Sequence, residues 1–299
     1  MSAVRARLSG ERWHLSHGPI DLIVAATGDP RACEMAHECC WTRFLPILET
    51  LVAELPLLRA PLDSCGVLPE ARGPVAARMV VACAPFANQY ITPMAAVAGA
   101  VADELIGCFS DPAICRASIN NGGDIALMLL GDARYTVGVA ADDVDVAEQF
   151  VIHARDPIRG VATSGWRGRS LSLGIADRVT VVARSAAIAD AAATMIANAV
   201  NVEHPAIIRK PAHCLQDDSD LGGLLATVAV PRLPGEVVSA ALDEGQDFAE
   251  ALLRSGIIGA AVLHLQGATR LVQWSPEVSG TPALLRPPRR ASSTCLSAP

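Results

Sequence analysis

One stretch, residues 160–201, constrains this chain more than any other. It opens as a strand and runs into a glycine-rich turn, Ala162-Thr163-Ser164-Gly165-Trp166-Arg167-Gly168-Arg169. A β-branched run, residues 179–183, predicts a second strand, and Ser185 stands where an N-cap would open a helix. That helix is nearly all alanine and aliphatic residues, which predicts burial over most of its circumference. Yet Asp190, Thr194 and Asn198 recur every four residues and share one face. A carboxylate left unpaired in such surroundings costs on the order of several kcal/mol. Asp190 must therefore meet a cation, a set of hydrogen-bond donors, or water in a cleft. A plainer reading stays open beside this one. Asp190 could sit in the first turn and favour its own helix dipole, with Thr194 bonded back to a carbonyl and Asn198 near solvent.

The rest of the composition narrows the function classes. An apolar fraction of 51% over 299 residues supplies a real core, and the expected domain is single, residues 1–278, followed by a disordered tail, residues 279–299. The formal charge of −7, with no dense basic patch outside the tail, argues against nucleic acid as a partner. Nine scattered cysteines lack paired zinc-ligand spacing and read as reduced thiols of a cytoplasmic protein. The amino terminus has no apolar signal region, and the longest apolar run, residues 94–102, is too short to span a bilayer. Aromatic residues make up only 4%, and the small-residue helices are compatible with a homodimer.

Along the chain, residues 12–26 read as a hairpin about His17-Gly18-Pro19, followed by one long helix, about residues 31–55. Cys33, His37 and Cys40 could share a face of it, though core positions explain them more readily than a metal. Residues 56–74 form a proline-rich connection that could act as a lid, and residues 74–83 could be helix or strand. Thr92-Pro93 signals the start of a helix over residues 93–109, whose apolar part ends at Asp103 and Glu104. Small residues at Ala95, Ala98, Gly99 and Ala102 would let another backbone come close. Further strands are expected at 134–140, 226–230, 260–265 and 269–274, a helix at 234–255, and a solvated loop at 142–145.

The second concentrated signal is Asn120-Asn121-Gly122-Gly123-Asp124-Ile125. Two glycines between short strands permit positive φ and close approach by a ligand, although Asn-Gly is also an ordinary hairpin turn.

Gly122-Gly123-Asp124-Ile125, Ala162-Thr163-Ser164-Gly165, Val179-Thr180-Val181 and Ala189-Asp190-Ala191-Ala192-Ala193-Thr194, in that order, resemble the ApbE-like superfamily. Its best-known members are magnesium-dependent FAD:protein FMN transferases. The resemblance implies an α+β fold of T-fold-related antiparallel sheets packed with helices, with internal duplication. It implies Mg held by Asp190 and Thr194, and a small-molecule ligand such as FAD or FMN. Asp124 and Asp190 become the candidate catalytic groups. Asn120, Asn121, Gly122, Gly123, Thr163, Ser164, Gly165, Arg167 and Arg169 become the candidate binding residues, the two arginines offering forks for a diphosphate or carboxylate. Two departures point to a branch outside the protein-flavinylating enzymes. The family's lysine stands as Ala98, and its histidine-containing segment appears as Ser170-Leu171-Ser172-Leu173-Gly174-Ile175-Ala176-Asp177. The expected activity is metal-assisted transfer or hydrolysis at phosphorus. Two alternatives stay open: a metal-independent enzyme acting on a small N-heterocyclic acid, and a non-catalytic flavin-binding protein.

Overall fold

The computed structural model describes residues 2–64, 66–141, 144–273 and 285–286. The chain begins with three strands, β1 (Val4–Arg7), β2 (Arg12–His17) and β3 (Ile20–Gly28). Helices α1 (Pro30–Phe44), α2 (Ile47–Ala53), α3 (Leu55–Leu58), α4 (Pro74–Cys83) and α5 (Val97–Ile106) follow. Next come β4 (Ile114–Asn121), β5 (Asp124–Leu129), β6 (Arg134–Ala141), β7 (Val144–His153), β8 (Gly160–Ser164), β9 (Arg178–Ala183) and helix α6 (Ala186–Ala199). The last elements are β10 (Ile208–Pro211), β11 (Leu225–Ala229), α7 (Gly235–Arg254), β12 (Ile258–Leu265), β13 (Ala268–Gln273) and β14 (Leu285–Arg286).

This is an α+β fold built on a nine-stranded sheet in the order β1-β2-β3-β4-β5-β8-β9-β12-β13, antiparallel throughout. Within it the hairpins β2-β3 and β4-β5 lie side by side, as do β8-β9 and β12-β13. Alternation along the strands gives the sheet two buried faces. Ala117, Ile119, Ala126, Ala162, Val179, Val181, Ala261 and Leu263 join the core shared with the helices. Ile125, Leu127, Leu129, Val161, Val182, Ala260 and Val262 face the other way and meet Val137 and Ile152 of the β6-β7 hairpin.

Several sequence expectations are corrected. The helix expected over residues 31–55 is three, α1 to α3, because Pro46 has no N–H to continue the ladder past Phe44. Residues 74–83, left open, form α4, with Pro74 at its first position. Thr92 makes no side-chain cap, its hydroxyl donating instead to the Asp220 carboxylate. Asp103 and Glu104 do not end an apolar segment but lie within α5, each satisfied from outside. Glu104, 3% exposed, accepts from Arg43 Nε at 2.6 Å and Arg78 Nε at 3.1 Å. Val144 and Asp145, expected in a solvated loop, begin β7; Asp142 and Asp143 lie outside the described residues. Most of the tail expected to be disordered, with Trp274 and residues 275–278 before it, also lies outside them; Leu285 and Arg286, within that tail, pair with β7 as β14. No helix among the described residues is long and apolar enough to cross a membrane.

Candidate functional site

Helices α5 and α6 cross at Gly99, where an added Cβ would fall 2.3 Å from the Ala186 carbonyl oxygen. Only glycine lets the two backbones come this close, so that each helix start lies within reach of the other's side chains. Asp190, in the second turn of α6, accepts from Gly99 N–H at 3.0 Å and also from Ala98 N–H, at the start of α5. The carboxylate thus serves the positive end of the neighbouring helix, not its own. Asp103 on α5 returns the arrangement by accepting from Ala186 and Ala187 N–H at 2.9 and 2.8 Å. Ser185 caps α6 as the sequence suggests, its hydroxyl accepting from Ile188 N–H at 3.3 Å.

The β4-β5 hairpin brings the second carboxylate. Gly122 and Gly123 both take positive φ, 65° and 119°, and Asn120 Oδ1 accepts from Gly123 N–H at 2.8 Å, closing a two-residue turn. Asn121 then donates to the Ala98 carbonyl at 3.1 Å, tying the hairpin to the start of α5. Between β5 and β8 the registered pairs are Ile125 with Val161 and Ala126 with Gly160. Beyond them the Asp124 carboxylate, and not a backbone carbonyl, takes Thr163 N–H at 3.2 Å. The strands splay at the point where Asp124 faces the helices.

Two carboxylates from distant parts of the chain therefore stand near one another. Burial is the main cause that raises both, and the negative charge of Asp124 raises Asp190 further. Asp124 is pushed up to about 7, against opposing effects of the Thr163 hydrogen bond and the Arg169 charge. Asp190 rises well above the usual carboxylate range despite its two amide donors. Arg169 lies across Gly122, with Nη2 1.9 Å from where a Cβ would stand. Gly122, at positive φ, leaves open the space that this guanidinium occupies.

One turn beyond Asp190 on the same face, the Thr194 hydroxyl has no hydrogen-bond partner among the described residues. Thr42 and Thr50, by contrast, bond back to Glu38 and Ile47 carbonyls within their own helices. Asn198 is not near solvent alone, since its Oδ1 accepts from Leu173 N–H at 2.9 Å and Ser172 Oγ at 3.2 Å, holding the 165–177 loop.

The remaining candidates do not all gather here. Arg167, paired with Arg169 in the sequence reading, turns away to Asp177 at 2.9 Å and lies over the Trp166 ring. Asp177 also accepts from Trp166 Nε1 at 3.0 Å and Gln266 N–H at 2.5 Å, so it closes the loop rather than facing the carboxylate pair. Thr163 bonds through its hydroxyl to Thr180 at 3.0 Å, and Ser164 pairs with Val179 in the sheet. An added Cβ at Gly165 would meet the Asp177 carbonyl at 2.5 Å. Asn120 faces the opposite side of the sheet. Cys33 and Cys40 are buried free thiols, and His37 packs on Phe109 at 5.2 Å, burial lowering it to about 4. No group of three or more His, Cys, Asp or Glu side chains arranged to hold a metal occurs among the described residues. Asp103 was missed as a functional position because nothing in its spacing reveals which helix it will meet.

The family model described as AbpE bacteria matches residues 5–271. A UPF0280 protein of Methanothrix thermoacetophila is 34% identical over 180 residues, covering 60% of this chain and 73% of the relative. Another, of Methanosphaerula palustris, is 33% identical over 207 residues, covering 66% of this chain and 81% of the relative. Among solved structures, Pseudomonas stutzeri flavinyl transferase ApbE, apo form, is 16% identical with a TM-score of 0.44, covering 94% of this chain and 97% of that one. The ApbE protein of Thermotoga maritima is 12% identical with a TM-score of 0.44, covering 90% and 96%.

Proposed function

This chain belongs to the family described as AbpE bacteria, and from that premise we propose that it binds a flavin or related phosphorylated heterocycle and acts on it with magnesium at the Asp190 face of α6. What carries this is the meeting of Asp124 and Asp190, two half-buried carboxylates with raised proton affinity and one arginine beside them. Such a pair is tolerated with a shared proton or with a cation.

The donor chemistry fits magnesium. A hard cation takes oxygen ligands and keeps part of its shell for water or substrate phosphate. Asp190, whose carboxylate already accepts from Gly99 and Ala98 N–H, and Thr194, whose hydroxyl has no partner among the described residues, would hold it. Bound there, the ion would supply Lewis-acid polarisation of a phosphoryl oxygen. Asp124, raised to about 7, can give up or take a proton near neutrality. Arg169 offers donors to a phosphate, and the Gly122-Gly123 turn leaves room for it. The coupled test is thermal melting of the full chain with FAD, Mg and both together. A rise that needs both, and that is lost in Asp190→Asn, supports the reading; no shift with any combination rejects it.

A metal-independent acid–base step on a small N-heterocyclic acid is favoured by one observation, the position of Asp124 at about 7. General bases work best when poised near the operating pH. Binding of such an acid that survives EDTA and is lost in Asp124→Asn would select this reading over the first.

A further inference from the structure

On the sheet face opposite the carboxylate pair there is a cavity of about 490 Å³ between the β2-β3-β4 surface and the start of β6. The pairing register explains its lining. Arg12 stands beside Ala25, Ala25 beside Ser118, and Ser118 beside Leu127, whose side chain belongs to the outer core. One row along, Thr27 stands beside Arg116. Alternation therefore sends Arg12, Ser118 and Arg116 to this outer face, and Arg134 and Tyr135 close the cavity from β6.

The charges here are of one sign. Arg12 gives hydrogen bonds to the Ser9 carbonyl at 3.0 Å and hydroxyl at 3.4 Å. Among the described residues Arg116 reaches only the Arg134 carbonyl, at 3.5 Å. Among the described residues none of the three guanidinium groups meets a carboxylate, and no acidic residue lines the cavity. Ser118 is 8% exposed, lines the cavity, and has no hydrogen-bond partner among the described residues. The hydroxyl opens into the cavity, so its hydrogen-bonding capacity is free for a group that enters from outside the chain. Three like charges converging on one space repel each other and focus a positive potential there.

We propose that this cavity is a binding site for a small organic oxyanion, carrying carboxylate or phosphate groups, that is separate from the carboxylate pair. Arg116 and Arg134 hold its charged oxygens, Ser118 donates from the floor, and Tyr135 lies against its body. The volume lies within the usual range for metabolite-sized ligands, roughly 300–1,000 Å³. An arginine fork suits either oxyanion, so the probes must separate the two sources.

Calorimetric titration of the full chain with citrate and with pyrophosphate tests this. At least one probe should bind at one per chain. The double variant Arg116→Gln/Arg134→Gln should weaken it by about tenfold or more, and Ser118→Ala by a smaller factor. Both arginines are exposed, and an unchanged melting temperature would show that the fold survives. Arg254→Gln, on the far surface of α7, should leave affinity as it was. The proposal is overturned if neither probe binds, or if the double variant binds like the parent. It is also overturned if a dimer found by sedimentation becomes monomeric in Arg116→Glu/Arg134→Glu while no probe binds, which would assign the face to a second copy.

Discussion

Asp103 and Asp190 each cap the helix that carries the other. Asp103 accepts from Ala186 and Ala187 N–H at 2.9 and 2.8 Å, and Asp190 accepts from Gly99 N–H at 3.0 Å. The exchange locks the starts of α5 and α6 together and fixes where the carboxylate pair stands.

The two caps differ in what surrounds them, which gives a prediction of relative cost. Asp103→Ala removes two amide acceptors and should destabilise the fold by about 1–2 kcal/mol, the range for a lost helix cap. Asp190→Asn should cost less in the metal-free protein, because it also removes repulsion with Asp124. Urea unfolding of both variants and of the double variant measures the difference; a larger loss in Asp190→Asn would contradict it.

The pH dependence follows from the raised position of Asp124. Its folded value, about 7, lies above the usual 3.8, so the folded state holds this proton more tightly than the unfolded chain. Its contribution is fully present below about 4 and is lost as pH rises to about 7. Asp124→Asn should therefore gain stability relative to the parent as pH is raised through this window. Added magnesium should reverse the sign for the parent by favouring the ionised pair. Melting curves across pH 4 to 8, with and without Mg, would reveal a parallel course if Asp124 does not titrate there.

At Gly99 the crossing leaves no room for a side chain. Gly99→Ala places a carbon within 2.3 Å of the Ala186 carbonyl oxygen and 2.7 Å of Ala187 nitrogen, both backbone atoms that cannot swing aside. A loss of about 1–3 kcal/mol, the usual cost of overpacking, is expected. The helices must part, so binding of any ligand at Asp190 should fall with it. Near-parental stability in denaturant would show that the crossing is looser than drawn.

The Glu104 carboxylate is 2% exposed and lies between Arg43 and Arg78, which are each about half exposed. Removing both arginines strands a buried charge, at a cost of about 3–5 kcal/mol. Glu104→Leu leaves two arginines free to turn to water and should be tolerated better. Comparing Arg43→Ala/Arg78→Ala with Glu104→Leu by unfolding settles the order.

Local chemistry carried much of the fold. Ser185 as a cap, the glycine turn after Asn121, and the β-branched run of residues 179–183 each depend on neighbours within a few positions, and each was legible. The polar stripe of α6 was legible as a stripe too, since helical spacing alone puts Asp190, Thr194 and Asn198 on one face. Its partners were not. Whether Asp190 served its own helix or another depended on a crossing made at Gly99, and a glycine reads the same wherever a close approach occurs. Arg167 and Arg169, two residues apart, looked like one binding fork until Asp177 drew the first away. The three arginines of the outer cavity come from strands far apart in the chain, so only pairing register could gather them.

By itself, then, the order of residues determined which segments are strand or helix, and which side chains needed an explanation for being polar in apolar company. Folding in three dimensions decided who answers whom, because a charge or an amide is satisfied by what lies within about 3 Å, and strand pairing and helix crossing bring distant segments to that distance.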